Sequence, residues 1–151
     1  MEIDILSKME RAQIHMVFIV VPRFNITTLI TMIETLRIAN YLAPTSTFSW
    51  EVASFDGSEI TASNGMTARI KTANDNLQPA EFVFILGSWG TEHYHNQKLT
   101  AWLRKRARAG ERICGVELGS YIVARAGLLD GKSATIHWSW LNGFKENFDR
   151  V

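Results

Sequence analysis

The five residues Gly115-Val116-Glu117-Leu118-Gly119 carry the densest chemical signal in the chain. They follow a strand-forming run and open a helix-forming one. Glycines on both sides of a central residue let a strand turn sharply into a helix. This is the layout of a nucleophile elbow, which lifts the central side chain to the mouth of a sheet. A thiol or hydroxyl there would be a nucleophile. The central residue here is Glu117, and a carboxylate needs a strong electrophile to act that way. An anion at a helix start is also favoured by the backbone dipole. The spacing therefore predicts a structural or ligand-binding Glu117. Cys114 stands three residues earlier, inside the strand, where a cysteine packs as a small apolar residue.

Other residues could share that mouth. His137 ends a short predicted strand and is followed by Trp138. Gly87-Ser88-Trp89-Gly90 forms a glycine loop that could present backbone N–H groups to an anion or a carbonyl oxygen. The loop aromatics Phe24, Trp89, Trp138 and Trp140 offer faces that hold cationic or apolar molecules. His93 and His95 flank Tyr94, but no second pair of ligands completes a metal site. Arg104, Lys105, Arg106 and Arg108 read as a solvated helix face.

These residues need elements to position them. Residues 14–21 are an unbroken apolar, β-branched run that stops at Pro22, which fits a strand buried on both faces. Asn25 or Thr27 can cap a helix carrying Leu29, Met32, Ile33 and Leu36 at helical spacing, ending within 40–44. Residues 48–55 alternate as a second strand, and Asp56-Gly57 turns the chain. Asn64-Gly65 suits positive φ, and 67–71 reads as a short strand. Residues 81–86 are a further buried strand. An amphipathic helix is predicted over 97–109, a short strand over 112–116 and a helix over 119–126. A short strand over 133–136 and a helix over 138–147 follow. Strands that are unbroken apolar runs, alternating with helices, predict a parallel sheet covered on both faces. Ligands then sit outside the carboxyl ends of the strands.

Composition narrows the classes. The chain has 151 residues, 46% hydrophobic and 21% charged, which suits one globular domain rather than a disordered or fibrous chain. Sixteen Lys and Arg against 15 Asp and Glu leave a charge of +1, so no footprint for nucleic acid is expected from this chain itself. One cysteine excludes an internal disulfide and fits a reducing cytoplasm. The longest apolar run is far too short to cross a bilayer, and the first residues lack a signal peptide's basic region, so no membrane partner is expected.

Several stretches together resemble a known family. They are Val20-Val21-Pro22-Arg23-Phe24, Glu34-Thr35-Leu36-Arg37-Ile38-Ala39-Asn40 and Ala62-Ser63-Asn64-Gly65-Met66. Two more are Cys114 to Gly119, and Ala124-Arg125-Ala126-Gly127-Leu128-Leu129-Asp130-Gly131-Lys132-Ser133-Ala134-Thr135-Ile136-His137-Trp138. The chain resembles the amino-terminal domain of GlxA-like AraC/XylS-family transcription regulators. The resemblance implies a class I glutamine amidotransferase-like, PfpI-related α/β fold. This is a flavodoxin-like three-layer sandwich with a mostly parallel sheet, here truncated at its carboxyl end. In enzymes of that superfamily a cysteine, a histidine and an acid cooperate. The cysteine's place falls on Glu117, the histidine's on His137 and the acid's near Thr28. Glu34, on the same helix, faces another way. Two of the three roles are thus replaced.

The expected organisation is a lead-in over 1–13 and a sensor domain over 14–151. A helix-turn-helix domain expected beyond it would be the only part to touch DNA. The expected function is non-catalytic sensing of a small molecule, with dimerisation, in the cytoplasm. The expected ligand contacts are Gly87, Ser88, Trp89, Glu117, Leu118, His137 and Trp138. A negative charge beside tryptophan faces suits an amine or quaternary ammonium effector. No cofactor and no metal is expected, and the partner is a second copy in a homodimer. The competing reading is a hydrolase or lyase of the PfpI superfamily using Glu117 and His137.

Overall fold

Ile14–Val20 forms β1, the central strand of the sheet. A strand with a neighbour on each side and a layer on each face must be apolar throughout, and Val17, Phe18, Ile19 and Val20 are all fully buried. The computed structural model describes residues 13–74 and 76–151, so the predicted lead-in lies outside the described residues except for Gln13. β1 pairs in parallel with β2 (Phe48–Ser54) on one side and with β6 (Phe82–Gly87) on the other. β5 (Lys71–Thr72) extends the sheet beyond β2, and β7 (Arg112–Glu117) extends it beyond β6. The order is β5-β2-β1-β6-β7, and every pairing is parallel. The chain thus reverses its direction of travel across the sheet between β1 and β6. A crevice opens at such a switch point, outside the carboxyl ends of the strands.

The two faces of β1 follow the period of two. Phe18 and Val20 meet α1 (Ile26–Leu42) through Leu29, together with Ile60 and Ala62. Val17 and Ile19 face Leu99, Trp102 and Leu103 of α2 (Gln97–Arg108) and Ile122 and Val123 of α3 (Gly119–Arg125). The expected α/β sandwich is therefore the observed one. A last helix, α4 (Leu141–Asn147), packs Phe144 onto Leu118, Tyr121 and Ala124.

Four expectations need correction. The predicted strand over 67–71 is two pieces in two sheets. β4 (Thr67–Arg69) pairs antiparallel with β3 (Glu59–Thr61) around a turn with Gly65 at φ +86°, while β5 joins the main sheet. Ile70 divides them, its N–H donating to the Ser58 carbonyl at 2.9 Å. Residues 133–136 form no strand. They are short and mostly exposed, and are tied instead to α3 by Ser120 Oγ donating to the Thr135 carbonyl at 2.9 Å. The basic run on α2 is only partly solvated. Arg106 is buried, ion-paired to Glu111 and donating to the carbonyls of Leu77 and Gln78, and Arg104 donates to the Ala126 carbonyl. The helix expected over 138–147 begins as a single 3-10 turn, Trp138–Trp140, before α4.

Candidate functional site

The elbow forms because two glycines give α3 room to pass close to the sheet. A Cβ on Gly115 would lie 2.6 Å from the Ser120 backbone, and one on Gly119 only 1.9 Å from the Ile85 carbonyl oxygen. Neither residue has positive φ; what they supply is space. The conformational strain falls on the residue between them, Glu117, at φ +50°. A non-glycine residue there costs on the order of 1–3 kcal/mol, and such strain persists only where the surroundings enforce it.

The carboxylate so presented is held by α1. Asn25 Nδ2 donates to Glu117 Oε1 at 2.9 Å, and Thr28 Oγ1 donates to the same oxygen at 2.7 Å. Asn25 is also the N-cap of α1, its Oδ1 accepting from the N–H groups of Thr27 and Thr28 at 3.0 and 3.3 Å. One amide thus starts a helix and grips the elbow. An acid at position 28 would repel a carboxylate at 117, whereas a threonine hydroxyl donates to it. The hydroxyl at 28 and the carboxylate at 117 are chemically matched. Asn25 was one of two legible caps, with Thr27, and only the family resemblance drew attention to Thr28. Their contact with Glu117 depends on the spacing of β1 and β7, which local patterning does not carry.

The remaining expected residues are placed as follows. Gly87 is register partner to Glu117, and a Cβ on it would strike the Thr91 side chain at 2.5 Å. Ser88 is buried and Trp89 is 67% exposed. One N–H of this loop is already engaged, that of Gly90, which donates to Glu92 Oε2 at 3.0 Å. The Leu118 side chain is buried against Tyr121, Ala124 and Phe144, so only its main chain borders the elbow. Trp138 is 82% exposed and stacks on the exposed His137 ring, with centroids 5.6 Å apart. His137 Nδ1 accepts from the Ser139 N–H at 3.3 Å and lies 2.7 Å from the Ser139 hydroxyl. Among the described residues, no hydrogen bond or ion pair joins His137 to Glu117. The two side chains are thus not held together as a nucleophile–base pair in this structure.

Of the other aromatics, Phe24 is fully buried in the core under α1, and Trp140 packs against the α4 cluster. The Cys114 thiol is pushed up by burial and only partly drawn back by Arg112, which leaves it protonated and unreactive at neutral pH. Among the described residues, no group of three or more His, Cys, Asp or Glu side chains could hold a metal ion. A cleft of about 650 Å³ opens at the opposite end of the sheet, beside Gln13, His15, Leu77, Trp102 and Arg106. It lies at the amino ends of β1 and β6, away from the elbow.

Comparison with known proteins agrees with the fold. The chain is 33% identical over 134 residues to the HTH-type transcriptional regulator CdhR of Pseudomonas aeruginosa, covering 89% of this chain and 40% of that protein. It is 29% identical over 135 residues to the HTH-type transcriptional regulator GlxA of Rhizobium meliloti, covering 89% of this chain and 42% of that protein. The chain thus spans about two fifths of the length of these curated relatives. The crystal structure of an AraC family transcriptional regulator from Pseudomonas putida superimposes with a TM-score of 0.82 at 21% identity, covering 90% of this chain and 73% of that one. The DJ-1/PfpI family matches residues 16–148. That match runs from β1 through α4, and on it the chain belongs to the DJ-1/PfpI family.

Proposed function

We propose that this chain is the small-molecule-sensing and dimerising part of a bacterial, cytoplasmic transcription regulator of the AraC type, and that it performs no catalysis. DNA would be read by a separate helix-turn-helix domain, as the names of the relatives suggest. The observation that carries the reading is the elbow itself: a carboxylate stands at the nucleophile's place, engaged by Asn25 and Thr28 rather than by a base. Glu117 Oε1 accepts from those two donors, and the carboxylate supplies the negative charge that a cationic ligand would meet. Trp89 follows β6 with an exposed ring, and Trp138 carries a second exposed ring after a segment that Thr135 ties to the start of α3. A carboxylate with aromatic faces suits an amine or a quaternary ammonium effector, held by charge and cation–π attraction. Gly87, Ser88 and the Leu118 main chain would complete the rim, with His137 at its edge.

The test is a thermal-shift titration with betaine-like, carnitine-like and amino-acid ligands. A ligand at a hundred times its Kd stabilises the folded state by about 2.7 kcal/mol, which raises the midpoint by several degrees. Glu117→Gln should remove that shift, because the charge is lost while the shape is kept. A shift that survives Glu117→Gln and Trp138→Ala would place the ligand elsewhere. Turnover of an isonitrile or an aldehyde that disappears in Glu117→Ala would instead establish the enzymatic reading.

A further inference from the structure

Helices α2 and α3 leave a cleft of about 260 Å³ between them, beside the loop that follows β6. Two arginines line it, Arg104 from α2 and Arg125 from α3, together with His95 and Gln97. None of its nine lining residues is acidic. The two arginine side chains are anchored. Arg125 donates through Nη1 to the Tyr94 carbonyl at 2.6 Å and through Nη2 to the Glu92 carbonyl at 2.7 Å. Arg104 donates through Nε to the Ala126 carbonyl at 2.9 Å.

A carbonyl oxygen carries only a partial charge, so these contacts hold two full positive charges in place without neutralising either. Arg37, Arg69, Arg106 and Arg150 each meet a carboxylate. Among the described residues, no carboxylate lies within ion-pairing distance of Arg104 or Arg125. The carboxylate of Glu92, close by in sequence, accepts from the Gly90 N–H instead. Arg125 is also partly buried, and burial pushes its guanidinium below the ordinary value, opposed by Tyr121 alone. Drawing a charge out of water without a counter-charge is costly.

We propose that this cleft is a site for a phosphate group, a dianion set between the guanidiniums of Arg104 and Arg125. Two cations call for a ligand with two negative charges, and a phosphate group carries about that number at neutral pH and above. The planar fork of a guanidinium matches phosphate oxygens. Arg104 keeps both Nη groups for this, and Arg125 keeps the donors that its two carbonyls leave over. The volume limits what enters. Drug-sized ligands fill pockets of roughly 300–1,000 Å³, so this cleft takes a small group rather than a large cofactor. It shares no lining residue with the effector contacts proposed above, so either site can stand without the other.

Isothermal titration calorimetry of the chain with inorganic phosphate tests this, at about pH 8 with ionic strength held constant by sodium chloride. Phosphate should bind saturably at one site. Acetate, a monoanion, should bind roughly tenfold more weakly or worse. Arg104→Gln and Arg125→Gln should each weaken phosphate binding roughly tenfold or more, because each removes charged hydrogen bonds. Glycerol 3-phosphate separates the sources of the group. Tighter binding than inorganic phosphate assigns the cleft to a phosphorylated metabolite, and weaker binding assigns it to the free ion. Absence of saturable binding, or acetate binding as tightly as phosphate, would overturn the proposal. So would a phosphate affinity unchanged in Arg104→Gln, since the ion would then sit elsewhere. If Arg125→Gln fails to fold for want of its carbonyl contacts, Arg104→Gln decides, because Arg104 is exposed and gives up one main-chain bond.

Discussion

Glu117 is a strained residue made useful by its neighbours. Its left-handed backbone raises the carboxylate at the end of β7, and two donors from α1 fix one oxygen. Hydrogen bonds to charged groups contribute about 1.5–3 kcal/mol when well buried, and less at a half-buried site such as this. Thr28→Val should therefore lower stability by about 1 kcal/mol. Asn25→Ala should cost more, because it also removes a helix cap worth about 1 kcal/mol. A double-mutant cycle with Glu117→Ala separates the contact from the cap. In the Glu117→Ala background the cost of Thr28→Val should vanish. Equal costs of Thr28→Val in both backgrounds, read from urea unfolding, would mean the bond is not made in solution.

At the scale of elements, the weakest joint of the main sheet is β5, two residues long. It is held to β2 by Lys71 Nζ bonded to Glu51 Oε1 at 2.6 Å, while Glu51 Oε2 accepts from the Gln78 N–H at 3.0 Å. Burial alone would push the Glu51 carboxyl up, but Lys71, the Gln78 N–H and His15 outweigh it and hold the group below the ordinary carboxylate range. A carboxyl depressed in the folded state stabilises at pH values above its unfolded pKa of about 4.3. That stabilisation disappears as pH falls through the lower, folded value. Glu51→Gln should thus cost about 1 kcal/mol at neutral pH. The gap to the parent should close below about pH 4 in melting curves recorded across the acid range. A gap that persists undiminished in acid would show that packing, not charge, is responsible. The same joint explains a misread boundary. Residues 67–71 look like one strand because nothing local distinguishes a hairpin arm from a sheet edge. Only the Ile70–Ser58 bond and the parallel seat of Lys71 beside Ala53 divide them.

For the whole molecule, the balance of charge bears on the proposed division of labour with DNA. A net charge of +1 gives the chain no overall excess of positive charge to draw it to phosphates. In gel-shift titrations at low and moderate salt, the chain alone should show no sequence-specific retention of DNA, and specific retention would contradict the division of labour proposed above. Among the described residues, no helix is long and apolar enough to cross a membrane. What could be read directly from the residues was whatever depends on local chemistry. The buried strands are unbroken apolar runs, α1 begins at a side chain that can cap it, and the elbow announces itself through glycines on either side of Glu117. What only the tertiary structure decided is which distant groups meet. Asn25 and Thr28 reach Glu117 across 92 and 89 residues of sequence. The Leu118 side chain turns to α4 and Phe24 to the core, while Ile38, Tyr41 and Leu42 of α1 stay exposed. A hydrophobic pattern states that a face must be buried, but the partner that buries it is set by the sheet order and register, which are non-local.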